Sequence, residues 1–455
     1  MSEQFREQGG AATMDPSPLA RWLTSRVITT LNRPGRLEKA QQKAERERVK
    51  RGQPHVLEYF HQVDDAWSHL AAQALAPLLQ RYDVVLVPHL VSGPTGANLP
   101  EPDLLPAQTR YDAALVAPHY GLDYPPDTPA PEPARCRRAE QILAAVSVDQ
   151  FPEAAVAVGQ AVIAGDDGAL EALASRFGTA SVTATQHALE RGKARCAEIK
   201  HFAGATFYYG GQRYWGVDRL YHLEQRWRSL GLGTAGELLF PRPPIDAGSY
   251  KANGSLTLEV YASLRSPYTA VIFDKAVELA ERTGVRLDLR PVLPMVMRGV
   301  SLTKEKGLYF FSDATREARA LGLEDFCHFA DPIGEPVRRC YSLFSWAQGQ
   351  GKRVALMSAF LNAAFYRGIN TNRESGLRYV VEEAGLSWRE AQAVIDNDDW
   401  QEEVEANRQA MYGFGSWGVP TFRLLDARGN TVVWAWGQDR LWLIAREIQR
   451  VLVQA

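Results

Sequence analysis

Two stretches of this chain carry the same order of apolar and polar positions. His55-Val56-Leu57-Glu58-Tyr59-Phe60 is a short run rich in β-formers and predicts a strand. The helix that follows, with no long loop between, sets Trp67, Leu70, Ala71, Ala74, Leu75 and Leu78 on one face. Far along the chain the plan returns. Leu256 to Tyr261 predicts a strand, and the next helix carries Tyr268, Val271, Ile272, Phe273, Ala276 and Leu279, with Leu57-Glu58 falling on Leu258-Glu259 and no gap through the turn. Each stretch goes on to a second strand, Val84 to Leu90 or Val285 to Val292. Long helical tracts follow, among them Glu140 to Gly165 and Val337 to Gly368. Each closes on a Thr-Phe strand, a hairpin and a last helix: Ala205-Thr206-Phe207 leads to Gly216-Val217-Asp218-Arg219-Leu220, and Pro420-Thr421-Phe422 to Gly437-Gln438-Asp439-Arg440-Leu441.

Strand, helix and strand, then an inserted helical block, then a hairpin and terminal helix is the order of a thioredoxin-type sheet with a helical insertion. The expected fold is therefore α/β, two tandem thioredoxin-like domains. Gly231 to Ser255 crowds Gly and Pro without periodicity and reads as a linker. The domains fall at 52–230 and 256–455, with 231–255 between them and 1–51 as a polar tail and charged helix, where Trp22, Leu23, Val27, Ile28 and Leu31 recur at helical spacing until Asn32-Arg33-Pro34-Gly35. A length of 455 residues suits two such domains.

Composition narrows the function. Lys plus Arg at 51 against Asp plus Glu at 53 gives a net charge of -2, with no global field for nucleic acid, and none is expected as a partner. Charge is uneven, however. Arg21 to Arg51 holds ten Lys or Arg and three Glu, which suits nucleic acid, acidic lipid, or a solvated helix packing its few apolar residues on the first domain. No stretch approaches the roughly 18 to 20 apolar residues of a membrane span, and the start of the chain does not read as a secretory signal, so a cytoplasmic protein is expected. Cys136, Cys196, Cys327 and Cys340 are widely spaced and form no C-x-x-C pair; they read as buried thiols. His61 and His69 have no third residue at metal spacing, and no metal is expected.

Three patterns in the second half carry a resemblance: Ser266-Pro267-Tyr268 after the first strand, Gly418-Val419-Pro420-Thr421-Phe422 before the third, and Trp436-Gly437-Gln438-Asp439-Arg440-Leu441 opening the last helix. In order and separation the chain resembles the DsbA-like thioredoxin superfamily, in the branch of 2-hydroxychromene-2-carboxylate isomerase and kappa-class glutathione transferases. The likeness runs over about Leu256 to Leu452, and a degraded copy covers about Val56 to Trp227. It implies glutathione as cofactor and a small electrophilic or unsaturated substrate. Ser266 stands where dithiol oxidoreductases place their first Cys, at a helix N-terminus that stabilises an anion, so the resemblance implies that its hydroxyl donates to the glutathione sulfur. It implies a cis Val419-Pro420 bond that turns the Val419 backbone toward the cysteinyl backbone of glutathione. It also implies that Asp439 receives the γ-glutamyl amine while Gln438 helps hold the neighbouring carboxylate. Each has a plainer reading: Ser266 as an N-cap before Pro at N1, Pro420 as a trans strand start, and Asp439 as a cap.

The first half departs at each of these positions. Asp65 replaces Ser266, Ala66 replaces Pro267, Trp67 replaces Tyr268, and Ala205 stands for Pro420, with a trans Gly204-Ala205 bond expected. An Asp beside a thiolate repels it, so glutathione activation is expected only in the second half. That half departs too, at Arg298-Gly299-Val300-Ser301 and Lys304-Glu305-Lys306-Gly307, where the isomerases commonly have Gly-Asn before a Pro-rich run. Lys304 and Lys306 read as exposed, with contact to an acidic substrate as the alternative. Tyr309, Phe310, Phe311, Tyr341, Phe344 and Trp346 read mostly as core, with one or two roofing a pocket. The expected activity is a glutathione-dependent isomerase or transferase, not a dithiol oxidoreductase. The alternative is a non-catalytic scaffold of two decayed domains that holds a peptide or partner. An oligomer is open in either case.

Overall fold

A computed structural model describes residues 15–234 and 236–454. The chain divides into two compact units, one running from Leu37 to Pro243, the other combining the chain up to Arg36 with everything from Pro244 on. Each holds one four-stranded sheet.

In the Leu37–Pro243 unit, helix α2 (Arg36–Lys50) leads to strand β1 (Val56–His61), helix α3 (Ala66–Arg81) and strand β2 (Val85–Leu90). Five helices form the insertion: α4 (Leu105–Val116), α5 (Pro133–Ala145), α6 (Phe151–Ala164), α7 (Asp167–Phe177) and α8 (Val182–Glu198). The hairpin β3 (Thr206–Tyr209) and β4 (Gln212–Trp215) and helix α9 (Leu220–Ser229) complete it. Strand order is β2-β1-β3-β4, with β1 and β2 parallel and β3 antiparallel to both neighbours.

The other unit begins with helix α1 (Pro18–Leu31) and resumes at β5 (Thr257–Ala262), α10 (Pro267–Thr283) and β6 (Arg286–Pro291). Its insertion is α11 (Lys304–Ala320), α12 (Glu335–Tyr341), α13 (Phe344–Gly349), α14 (Arg353–Phe365), α15 (Glu374–Glu383), α16 (Trp388–Ala391) and α17 (Trp400–Gly413). The hairpin β7 (Thr421–Leu425) and β8 (Thr431–Trp436) and helix α18 (Leu441–Gln454) close it. The order β6-β5-β7-β8 repeats that of the first sheet. The register repeats as well: Val56 faces Val85 as Thr257 faces Arg286, through to His61 on Leu90 and Ala262 on Pro291. Two mixed four-stranded sheets of one topology are consistent with two thioredoxin-like domains.

The aligned glutamates of the central strands are paired in both units. Arg195 reaches Glu58 at 2.6 Å and 2.7 Å, and His89 joins at 2.9 Å. Burial raises the Glu58 pKa, but these hydrogen bonds outweigh it and bring the carboxyl down to about 2. Glu259 is buried between Arg423 at 2.6 Å and Arg290 at 3.0 Å, and accepts from the Tyr261 hydroxyl. A buried charge at the sheet centre persists because it is matched in place.

Three expectations need correction. The tract Glu140 to Gly165 is two helices, since Pro152 removes an N–H and cannot continue the turn from α5. Val337 to Gly368 is three helices, broken at Ser342-Leu343 and at Gly351, whose φ of 67° is left-handed. The third concerns the Arg21–Arg51 stretch: its second helix, α2, groups with the first domain as expected, while α1 groups with the second. Helix α1 hydrogen-bonds the 329–335 segment of the second: Arg21 donates to the Asp331 and Ile333 carbonyls, Ser25 Oγ accepts from Asp331 N, and Thr29 Oγ1 accepts from Phe329 N. The stretch expected as a linker is partly fastened, for Leu239 N and Phe240 N both donate to the buried Glu224.

Candidate functional site

Strand β5 ends where α10 begins, and Ser266 caps the helix. Its Oγ accepts from Thr269 N at 3.1 Å, with Pro267 in the first turn, where a missing N–H costs nothing. Helix α10 is held in place by the buried Val271, Ile272, Phe273, Ala276 and Leu279, the larger of which contribute about 1.5–3 kcal/mol each. It ends at Gly284 with φ 70°, where a Cβ would stand 2.4 Å from the Ala252 carbonyl oxygen.

The structure brings Ser266, Val419 and Pro420 together. Ser266 Oγ donates to the Val419 carbonyl at 3.3 Å, and the Val419-Pro420 bond is cis, as expected. Among the described residues it is the cis peptide bond, and Gly204-Ala205 is trans. Pro420 is buried while Ser266 and Val419 reach the surface in part. The preceding loop approaches closely because Gly418 has no side chain: a Cβ there would lie 2.3 Å from Trp436 Nε1.

Asp439 lies in a single 3-10 turn, Gln438–Arg440, which packs against α10 and precedes α18. Its half-buried carboxylate is 3.4 Å from Arg440. The Gln438 side chain is buried, and its Nε2 donates to the equally buried Glu317 on α11 at 2.8 Å.

Sequence reasoning missed several neighbours. The Tyr268 hydroxyl donates to Asp313 at 2.9 Å, and Trp67 Nε1 donates to Asp112 at the same distance in the other unit. Carrying the gapless alignment past the second strand would have paired Asp112 with Asp313. Lys306 is buried, not exposed: it sits in the first turn of α11 with its amino group over the Phe310 ring, which meets Tyr268 edge-on. Burial lowers its pKa to about 8. Lys304 is exposed. Tyr309, Phe311, Tyr341 and Phe344 are core, while Phe310 and Trp346 are half-buried. Arg265, next to Ser266, makes a double hydrogen bond to the buried Asp331, the segment that α1 clamps.

The matching turn of the first unit is built differently. Asp65 caps α3 through Ser68 N at 2.9 Å and also accepts from Ser68 Oγ at 2.7 Å, and Ser68 Oγ in turn accepts from Ala205 N at 2.8 Å. Burial pushes the Asp65 carboxyl up to about 6 against these hydrogen bonds. Burial also takes His61 down to about 3 and His69 to about 4, so both imidazoles are neutral at pH 7. Asp218 accepts from the Tyr120 hydroxyl. All four cysteines are free, and burial raises each thiol, Cys136 to about 11 and Cys196 to about 12. Thiols held protonated are poor nucleophiles.

Residues 257–449 match the family model of the DSBA-like thioredoxin domain. The match covers the second sheet and its insertion and does not extend to the first. No curated protein matches the chain. Among solved structures it is similar to a 2-hydroxychromene-2-carboxylate isomerase, with 20% identity and a TM-score of 0.37 over 44% of this chain and 97% of that one. It is also similar to a probable DsbA oxidoreductase of Streptomyces coelicolor, with 22% identity and a TM-score of 0.33 over 44% of this chain and 89% of that one. Among the described residues no helix is long and apolar enough to cross a membrane.

Proposed function

We propose that the second unit is a glutathione-dependent isomerase or transferase for a small electrophilic or unsaturated substrate, and that the first unit is a degraded copy without this activity. The observation that carries the reading is the meeting of the Ser266 hydroxyl with the Val419 carbonyl at the N-terminus of α10, in a turn that has no cysteine. The helix end favours an anion, and the hydroxyl proton, held at 3.3 Å by Val419, is free to turn to a stronger acceptor. When bound, glutathione would supply a nucleophilic thiolate for an unsaturated or electrophilic carbon, and the residues that would hold it are Ser266, Val419 and Asp439. Ser266 donates to the sulfur and holds its pKa down. The Val419 backbone aligns the cysteinyl unit as an added strand, and Asp439 takes the γ-glutamyl amine. Gln438, whose Nε2 is anchored on Glu317, helps hold the neighbouring carboxylate.

Calorimetric titration with glutathione, combined with a search for the ultraviolet band of a thiolate in the complex, tests the reading. Heat and a thiolate band are expected. Neither signal would leave a partner-binding scaffold as the function.

A further inference from the structure

Helix α1 has two faces of opposite character. Arg21, Ser25, Ile28, Thr29 and Asn32, spaced three and four apart, form the docked side, with Arg21, Ile28 and Asn32 buried. The other side is apolar and bare: Leu19, Trp22, Leu23, Val27 and Leu31 recur at the same spacing and are between 40% and 66% exposed. Such a stripe is the part of an amphipathic helix that ordinarily faces a core. Here the polar side faces the fold instead, fastened through Arg21, Ser25 and Thr29 to the 329–333 backbone.

Charge selects what covers the stripe. From Pro16 to Leu37 the chain has no Asp or Glu and four Arg. Arg21 is used inward, while Arg26, Arg33 and Arg36 are exposed, Arg26 within the stripe and 5.4 Å from the Trp22 ring centroid. A second copy meeting this face two-fold would bring like cations together over apolar surface, which is unfavourable. An anionic lipid surface matches both features, taking Leu, Val and Trp into the acyl boundary while the guanidinium groups extend to the headgroups. At 14 residues the helix is too short to span a bilayer, and it suits the interface.

We propose that the outer face of α1 docks the protein peripherally on an anionic membrane surface. The test is co-sedimentation of the full chain with vesicles of phosphatidylglycerol and phosphatidylcholine, and with vesicles of phosphatidylcholine alone, each at low and high salt. Binding is expected to the mixed vesicles at low salt, with at least a tenfold weaker association for Leu23→Glu/Val27→Glu and about a tenfold weaker one for Arg26→Ala/Arg33→Ala. These positions are exposed, and unchanged thermal unfolding shows that the variants fold. Three results overturn the proposal: no association with the mixed vesicles, association that the Leu23→Glu/Val27→Glu variant retains in full, or a dimer in sedimentation equilibrium that this variant dissociates, which gives the face to a second copy.

Discussion

The turn from β1 into α3 and the turn from β5 into α10 make matching backbone hydrogen bonds, Asp65 N to Gln62 O and Ser266 N to Ser263 O, and differ in how three of their residues are bonded. In the first, Asp65, Ser68 and Ala205 satisfy one another: the serine hydroxyl donates to the aspartate and accepts from the alanine N–H. In the second, Ser266 replaces the aspartate and Pro420 has no N–H to give. The hydroxyl of Thr269, which stands where Ser68 does, is then left buried with no hydrogen-bond partner. A chain that closes the turn with its own groups keeps an acidic side chain at the helix N-terminus. One that leaves only a neutral hydroxyl there retains the helix end for an outside anion. The difference between the units is thus a matter of which acceptor occupies the cap, not of how the sheet is built.

The largest expected effect comes from forcing the first turn toward the second. Ala205 has φ 52° and donates its N–H to Ser68. Proline fixes φ near -65° and lacks that donor, so Ala205→Pro should destabilise the Leu37–Pro243 unit by about 3 kcal/mol or more. Ala205→Gly should stabilise it by up to about 1 kcal/mol, because glycine adopts positive φ without strain. Denaturant unfolding of both variants checks this, and a neutral Ala205→Pro would show that the closed turn is not what holds this corner.

Ser266→Ala tests the other side. One hydrogen bond to a charged group is worth about 1.5–3 kcal/mol, so turnover should fall about ten- to a hundredfold and the bound thiol pKa should rise, with little change in fold. Asp65→Ser should not confer the activity on the first unit, since Ala205 and Trp67 remain. Pre-steady-state turnover and pH titration of the thiolate band measure both outcomes.

How much of this was legible follows from the range of each interaction. The strands and the closing hairpins lie in local patterns, whereas the meeting of Ser266 with Val419-Pro420, 153 residues away in the chain, is implied only by the family resemblance. The docking of α1 lies in no local pattern, because its contacts use Arg21, Ser25 and Thr29, which on a helical wheel read as the solvent side. Hydrophobic periodicity marks the apolar stripe but does not say which side of the helix meets the fold, and the hydrogen bonds of Arg21, Ser25 and Thr29 decide it. The partner of Gln438 is hidden for a similar reason: Glu317 lies on a distant helix, and nothing near Gln438 in sequence points to it. Lys306 looked exposed because lysine usually is, whereas the ring of Phe310, one helical turn on, covers it. Ser68 carried no signal at all until Ala205 N was placed beside it.

A third comparison concerns pH. The Asp65 carboxyl is raised to about 6 in the folded chain from an ordinary 3.8, while Ser266 does not titrate. Between these values the folded state holds a proton that the unfolded state has released, so this group favours folding at low pH and its contribution is lost as pH rises through 6. Asp65→Asn stays neutral and keeps an acceptor for Ser68 N. It should flatten the profile, gaining on the order of 2 kcal/mol at pH 7.5 relative to pH 4. Hydrogen exchange of the peptide around Trp67 to Leu70, corrected for intrinsic rate, should show the change, and the peptide around Thr269 to Val271 should not. Equal pH slopes in the two variants of the first peptide would mean that Ser68 and Ala205 fully offset the burial.

The smallest effect separates the two aspartates that open the closing helices. Asp439 and Asp218 occupy the same turn of the two units, each after a glycine of positive φ. Their partners differ, Arg440 for one and the Tyr120 hydroxyl for the other. If Asp439 takes the γ-glutamyl amine, Asp439→Ala should weaken glutathione binding by about tenfold while leaving the thiol pKa unmoved, because the lost ion pair is remote from the sulfur. Asp218→Ala should leave affinity unchanged. Any contribution of these carboxylates to the helix start is the same in kind, so each substitution should cost about 1 kcal/mol of stability or less. Calorimetry reads the affinity and unfolding reads the stability. Matched losses of stability with no selective loss of glutathione affinity at Asp439 would make Gly-x-Asp-Arg a feature of the helix start in both units, and would confine the site to Ser266 and the Val419-Pro420 backbone.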